Sequence, residues 1–348
     1  MTKKRSEYIE LSAVRGVQAG RQYYTAMCPL HLAVQMFSYS DSSLPPDIRA
    51  QRVLNKRRVP EMRDYILENL DTYVFSALTA SIDGDIEFIQ TEQNYRIGKL
   101  KISLNSRIII NDGQHRQAAI AAALEENPAL RNEDISIVLY HDLGLVRSQQ
   151  MFSDLNRHAV RPTRSLNILY ENRDERAVLI KQCIDEIPMF YGSVEKERSS
   201  ISNRSKALFT LSGIHAATEF LLKGVEFENN VIKEKIIAFW NAVSDNMITW
   251  QKAKNKSIAP CDFRKDYVCA HTIMLKALGT MGNRLIMKPI ETWKKELAFL
   301  KEIDWSKDNV EFQGLVLVDR KITASRSNQA AFSEYLIAKH EEANGGSK

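Results

Sequence analysis

Six consecutive residues, Asn111-Asp112-Gly113-Gln114-His115-Arg116, gather more polar chemistry than any other short stretch of this chain. They follow a β-branched run, Arg107-Ile108-Ile109-Ile110, and open an alanine-rich segment ending at Glu126. Glycine permits a sharp turn and a close approach of ligand to backbone. A helix starting there presents amide donors with no intrahelical acceptor and the positive end of its dipole, which together suit an anion. Arg116, one turn in, could bring a planar cation to phosphate oxygens, and Gln114 and His115 can donate hydrogen bonds. Asp112 could cap the helix, hold a metal or hold a ribose hydroxyl. In a hydrolytic site Asp112 would carry a divalent ion, His115 would act as acid or base, and Arg116 would meet developing charge. A single carboxylate is thin support for two-metal chemistry, so binding phosphate and cleaving it both stay open.

These residues need a buried strand behind them and a helix ahead. Ile108–Ile110 supply the strand. The small side chains Ala118, Ala119, Ala121, Ala122 and Ala123 suit a helix lying close on a sheet, and Asn127-Pro128 ends it. The run 135–140 returns as a strand, so the pattern predicts a right-handed βαβ crossover. Upstream, a helical pattern follows Pro29, short helices are expected at 47–56 and 60–70, and strands at 73–79, 86–89 and 98–102. Residues 81–85 read as a hairpin-like turn. From 145 onward the pattern is helical, at 145–157, 162–187, 205–223, 229–250, 264–280 and 289–303. An apolar run at 314–318 precedes a polar tail. The expected fold class is α+β: an α/β half over 1–142, then a mostly α-helical half over 143–348. A helix-turn-helix around Gly213 is a weaker alternative to bundle core at 205–225.

Lys and Arg number 48 against 43 Asp and Glu in 348 residues, a net charge of +5 that does not by itself mark a nucleic-acid binder. The bunching says more. One bunch holds Arg52, Lys56, Arg57, Arg58 and Arg63, and another holds Arg157, Arg161 and Arg164. Further bunches include Lys196, Arg198, Arg204 and Lys206, then Lys252, Lys254, Lys256, Arg264 and Lys265. The first two are expected to grip a DNA backbone. No Walker-type or G-x-G-x-x-G glycine loop occurs. Cys261, Cys269 and His271 have no standard zinc spacing, so no metal site is expected, and Cys28 reads as a core thiol. Scattered cysteines, a polar start and no long apolar run predict free thiols, no membrane span and a cytoplasmic setting.

Asp112-Gly113-Gln114-His115-Arg116 resembles the signature of the DGQHR-domain family, and the surrounding sequence is similar to the DndB family of DNA sulfur modification proteins. The supporting segments are Arg49-Ala50-Gln51-Arg52, Asn55 to Val59, Tyr65 to Asn69, Tyr73-Val74-Phe75 and Phe152 to Arg157. More distantly, Gly113-x-x-Arg116-x-x-Ala119 resembles the nucleotide-binding turn of the ParB and sulfiredoxin superfamily. The second ParB box is matched loosely, with Asn156 followed by Arg157 and Arg161, and the sulfiredoxin cysteine is missing. The resemblance implies a ParB/sulfiredoxin-like N-terminal half. It implies a DNA-binding repressor of a bacterial phosphorothioation gene cluster, with a nucleotide or phosphate site built from Asp112, Gly113, Gln114, His115, Arg116, Asn156 and Arg157. Partners would be double-stranded promoter DNA, other DNA sulfur modification proteins and a second copy of the chain. ATP or CTP with Mg2+ would be the cofactor, if any. The alternative is a ParB-like NTPase or a DNA-nicking phosphodiesterase.

Overall fold

The computed structural model describes residues 8–38, 58–145, 147–157 and 162–345, apart from the side chains of Gln149, Asn156 and Arg157. The chain divides into two compact units, 1–160 and 161–348. The expected helix at 47–56 lies outside the described residues.

The first unit is built on a seven-stranded sheet. Strands β1 (Tyr8–Gln18) and β2 (Arg21–Pro29) form an antiparallel hairpin. Its two-residue turn, Ala19-Gly20, has both φ values positive, the geometry that matches strand twist. Leu11 and Ala13 of β1 and Tyr24, Ala26 and Cys28 of β2 alternate into the core. That period-2 signal was present in the sequence but hidden by the small size of its alanines. Helix α1 (Leu30–Ser38) follows Pro29 directly, and α2 spans Arg58–Glu68.

Strands β3 (Leu78–Asp83) and β4 (Ile86–Gln90) run against β5 (Ile97–Ser103) and β6 (Arg107–Asp112). β3 pairs with β6 and β4 with β5. The expected hairpin at 81–85 is therefore a kink in one long ribbon, and the ribbon's tip is at 91–96. Gly84 makes the kink: its φ is +151°, and a Cβ there would lie 2.3 Å from Ser106 Oγ. One end of the ribbon joins β1 through β5, and the other joins β7 (Asp134–His141) through β3. The sheet order is β4-β5-β1-β2-β7-β3-β6. Since β3 and β4 are separated by only residues 84–85 yet stand far apart in that order, the sheet curls back on itself.

Helix α3 (Gln114–Glu126) links β6 to β7 as expected, but not as a parallel crossover. β3 lies between the two strands, antiparallel to β6 and parallel to β7, so β6 and β7 run in opposite directions. The strand expected at 73–79 begins only at Leu78, with Tyr73 and Phe75 packing on the core instead. Ala119, Ile120 and Ala123 of α3 are buried with Ile66 of α2, Leu78 and Ile110. Helix α4 (Ser148–Arg157) packs beside β6 and belongs to this unit.

The second unit is helical: α5 (Arg164–Tyr170), α6 (Glu175–Glu186), α7 (Leu211–Leu221), α8 (Asn229–Asn246), α9 (Ile248–Lys254), α10 (Pro260–Asp266), α11 (Thr272–Asn283), α12 (Ile290–Glu296) and α13 (Arg326–Asn344). Its core centres on Trp240, Trp250, Phe190, Phe209 and Phe263. The helix expected over 162–187 breaks after Tyr170, and Asp174 caps its successor by accepting from the amides of Arg176 and Ala177. Gly213 lies buried inside α7, so no helix-turn-helix forms around it. The apolar run ends in a two-residue strand, Leu317–Val318, paired with Lys321–Ile322. The polar tail is helix α13, which buries Phe332 and Leu336 in the core. Among the described residues no helix is long and apolar enough to cross a membrane.

Candidate functional site

The turn is anchored from behind. Ile108 and Ile110 of β6 enter the main core of the unit, while Ile109 packs on Leu145 across the sheet. Asn111 shares the side of Ile109 and is fully buried. Its Nδ2 donates to Ser81 Oγ of β3 at 2.7 Å, and Ser148 Oγ of α4 donates to its Oδ1 at 2.8 Å. One amide thus ties the end of β6 to its neighbouring strand and to a covering helix. Buried polar groups are tolerated when satisfied in this way.

β6 continues through Asp112, and Gly113 then takes the helix-capping position at φ 102°. A Cβ there would lie 2.5 Å from Leu78 Cδ2, so both backbone conformation and space call for glycine. Asp112 is therefore not the cap, because it is still strand, and no side chain caps α3. Gly113 has no side chain with which to accept from the first amides of the helix.

Arg116 reaches back instead of out. Its Nη2 donates to Asp112 Oδ2 at 2.6 Å. Its Nη1 donates to the carbonyl oxygens of Ser76 at 2.5 Å and Ala77 at 2.8 Å, and also to Ser76 Oγ. Only 12% of the side chain is exposed. The guanidinium pins the segment entering β3 onto the turn. Gln114 Nε2 donates weakly to the Ile110 carbonyl oxygen at 3.4 Å.

His115 is held below the ordinary histidine range, first by burial and then by the charge of Arg58. A neutral imidazole with a cation nearby results. Arg58, exposed at the start of α2, is the described member of the Arg52, Lys56, Arg57, Arg58 bunch, and the other three lie outside the described residues. Arg63 is spent on Asp64 and Glu126. Asn156 and Arg157 fall in α4, their side chains not described, and Arg161 lies outside the described residues. Arg164 is exposed at the first position of α5, in the second unit.

Among the described residues no three His, Cys, Asp or Glu side chains are grouped to hold a metal. Asp112, the one carboxylate of the turn, is already paired with Arg116. The turn offers donors for a phosphate group more readily than ligands for a cation. Cys28, Cys183 and Cys269 are buried free thiols. Burial pushes Cys28 up to about 12 and Cys183 up to about 11, which suits core packing and not nucleophilic chemistry.

A family model described as DndB, DNA-sulfur modification-associated, matches residues 11–341. The chain belongs to the DndB family. The DndB match runs through both units, so the helical half is part of what defines the family and not an appendage to the turn. Comparison with curated proteins and with solved structures found no match.

The sequence named the residues of the turn but missed the ones that hold it: Ser76, Ser81 and Ser148. A signal existed only for the Asn111 contact, in a polar amide that ends an otherwise apolar strand. Nothing local pointed to Ser76, 40 residues upstream of Arg116.

Proposed function

We propose that this DndB-family chain is a DNA-binding regulator of genes for DNA phosphorothioation, in which a non-bridging phosphate oxygen is replaced by sulfur. The opening of α3 behind Gly113 is its seat for a DNA phosphate. The observation that carries this reading is the uncapped helix start at the end of a buried strand, in a chain of a family associated with DNA sulfur modification. The charge of exposed Arg58 acts on His115 in the first turn of this helix and adds a cation to the neighbourhood of the seat. Arg116 acts from behind: it fixes Asp112 and the 76–77 segment, so that the turn is shaped before ligand arrives.

The test is a thermal-shift titration of the full chain with promoter-region duplex DNA, ATP and CTP. A ligand bound only by the native state raises the midpoint with concentration. DNA is expected to raise it, and more at low salt than at high. Failure of DNA to shift it at any salt concentration contradicts the proposal, and a shift by ATP or CTP alone replaces it with a nucleotide-binding function.

A further inference from the structure

We propose that the helical unit carries a second phosphate site, for a mononucleotide, in the cavity between the 199–203 loop and the start of α11. This cavity has a volume of about 440 Å³, within the range of small-molecule sites. Its wall contains Arg264, Lys265, Ser199 and Asn203, and no carboxylate. Two cations with hydroxyl and amide groups, undiluted by acidic side chains, are the chemistry that recognises a phosphate.

The wall is held in advance. Arg264 donates through Nη1 to the Ala207 carbonyl oxygen at 2.5 Å and through Nη2 to that of Ser202 at 2.9 Å. Ser165 Oγ donates to the Arg198 carbonyl oxygen at 2.9 Å. The loop is therefore fixed on both sides of the residues that line the cavity. Lys265 has no hydrogen-bond or ion-pair partner among the described residues, so its ammonium is available. The cavity also abuts the first residue of α11, a helix with no side-chain cap.

The remaining lining selects more than bare phosphate. Ile201 and Leu275 give an apolar surface on which a base can rest. His271 Nε2 stands 3.0 Å from the Arg264 carbonyl oxygen and must donate to it, which leaves Nδ1 an acceptor fit for a sugar hydroxyl. Burial keeps this imidazole neutral, with its pKa lowered to about 4. The sequence had placed Arg198 and Arg204 in one basic bunch and Arg264 and Lys265 in another, without reason to join them. The fold sets Arg264 and Lys265 of the second bunch against the loop that runs between Arg198 and Arg204 of the first.

Calorimetric titration of the full chain with AMP, adenosine and inorganic phosphate tests this. Saturable AMP binding is expected, with adenosine much weaker. Lys265→Glu, a change at an exposed position, should weaken AMP at least about tenfold, while Arg58→Glu in the other unit should leave it unchanged. Absence of AMP binding to the wild type overturns the proposal. So does AMP binding that is insensitive to Lys265→Glu, or that is lost in Arg58→Glu instead.

Discussion

The Asp112 carboxylate accepts a hydrogen bond from the Arg116 guanidinium at 2.6 Å, one helical turn across the glycine between them. The two residues that look most catalytic in the sequence are thus each other's partner. Arg116 completes its bonding with backbone oxygens of Ser76 and Ala77, so its first role is to build the turn.

Arg116→Ala should therefore destabilise the fold by about 1–3 kcal/mol, because it removes several hydrogen bonds made by a side chain only 12% exposed, whose acceptors Asp112 and Ser76 can partly turn to water. Asp112→Asn should cost about 0–1 kcal/mol, since that side chain is 42% exposed. Urea unfolding midpoints measure both. Equal losses would mean that the Ser76 and Ala77 contacts contribute nothing.

Gly113→Ala should cost about 1–3 kcal/mol, from strained backbone at φ 102° and from a methyl group meeting Leu78. The expected companion effect is weaker DNA binding even at temperatures where the variant stays folded. A variant as stable as wild type would contradict the geometry of the turn.

Asn111→Leu leaves Ser81 Oγ and Ser148 Oγ without their shared partner in a buried place. A loss of about 2–3 kcal/mol is expected. In a double-mutant cycle, Ser148→Ala should cost much less in the Asn111→Leu background than in wild type. Additive losses would show that the contact carries no energy.

How much of this was legible in the sequence differs by feature. The turn was legible because a β-branched strand, a glycine and an alanine-rich helix are local signals. The direction of Arg116 was not, because its acceptors at Ser76 and Ala77 lie far upstream in the chain. The crossover was misread for a similar reason: strand, helix and strand were found in order, but the insertion of β3 between β6 and β7 depends on a kinked ribbon. Gly84 marks that kink, and a glycine between two strands reads equally well as a hairpin turn. Helix α13 was read as a polar tail because Phe332 and Leu336 are sparse among charged neighbours, and only the core they enter makes them a face.

Acid should weaken the helical unit through His271. Its folded pKa of about 4 lies below the ordinary value of 6.5, so the unfolded chain binds the proton more tightly. The resulting stability is fully present above about pH 6.5 and is lost as pH falls towards 4, a change of about 3 kcal/mol. His215 is shifted in the same direction, chiefly by burial, and adds to the same trend. Urea midpoints at pH 7 and pH 4.5 should differ more for wild type than for His271→Gln. An equal difference would remove His271 from the explanation.

DNA binding at the turn is tested most directly by fluorescence anisotropy with a labelled promoter-region duplex from a DNA sulfur modification gene cluster, across a series of salt concentrations. Log affinity should fall linearly with log salt, and Arg58→Glu should weaken binding at least about tenfold with a slope shallower by about 1. No binding at low salt, or binding equally strong in Arg58→Glu with an unchanged slope, would contradict the assignment of the turn as a DNA phosphate seat.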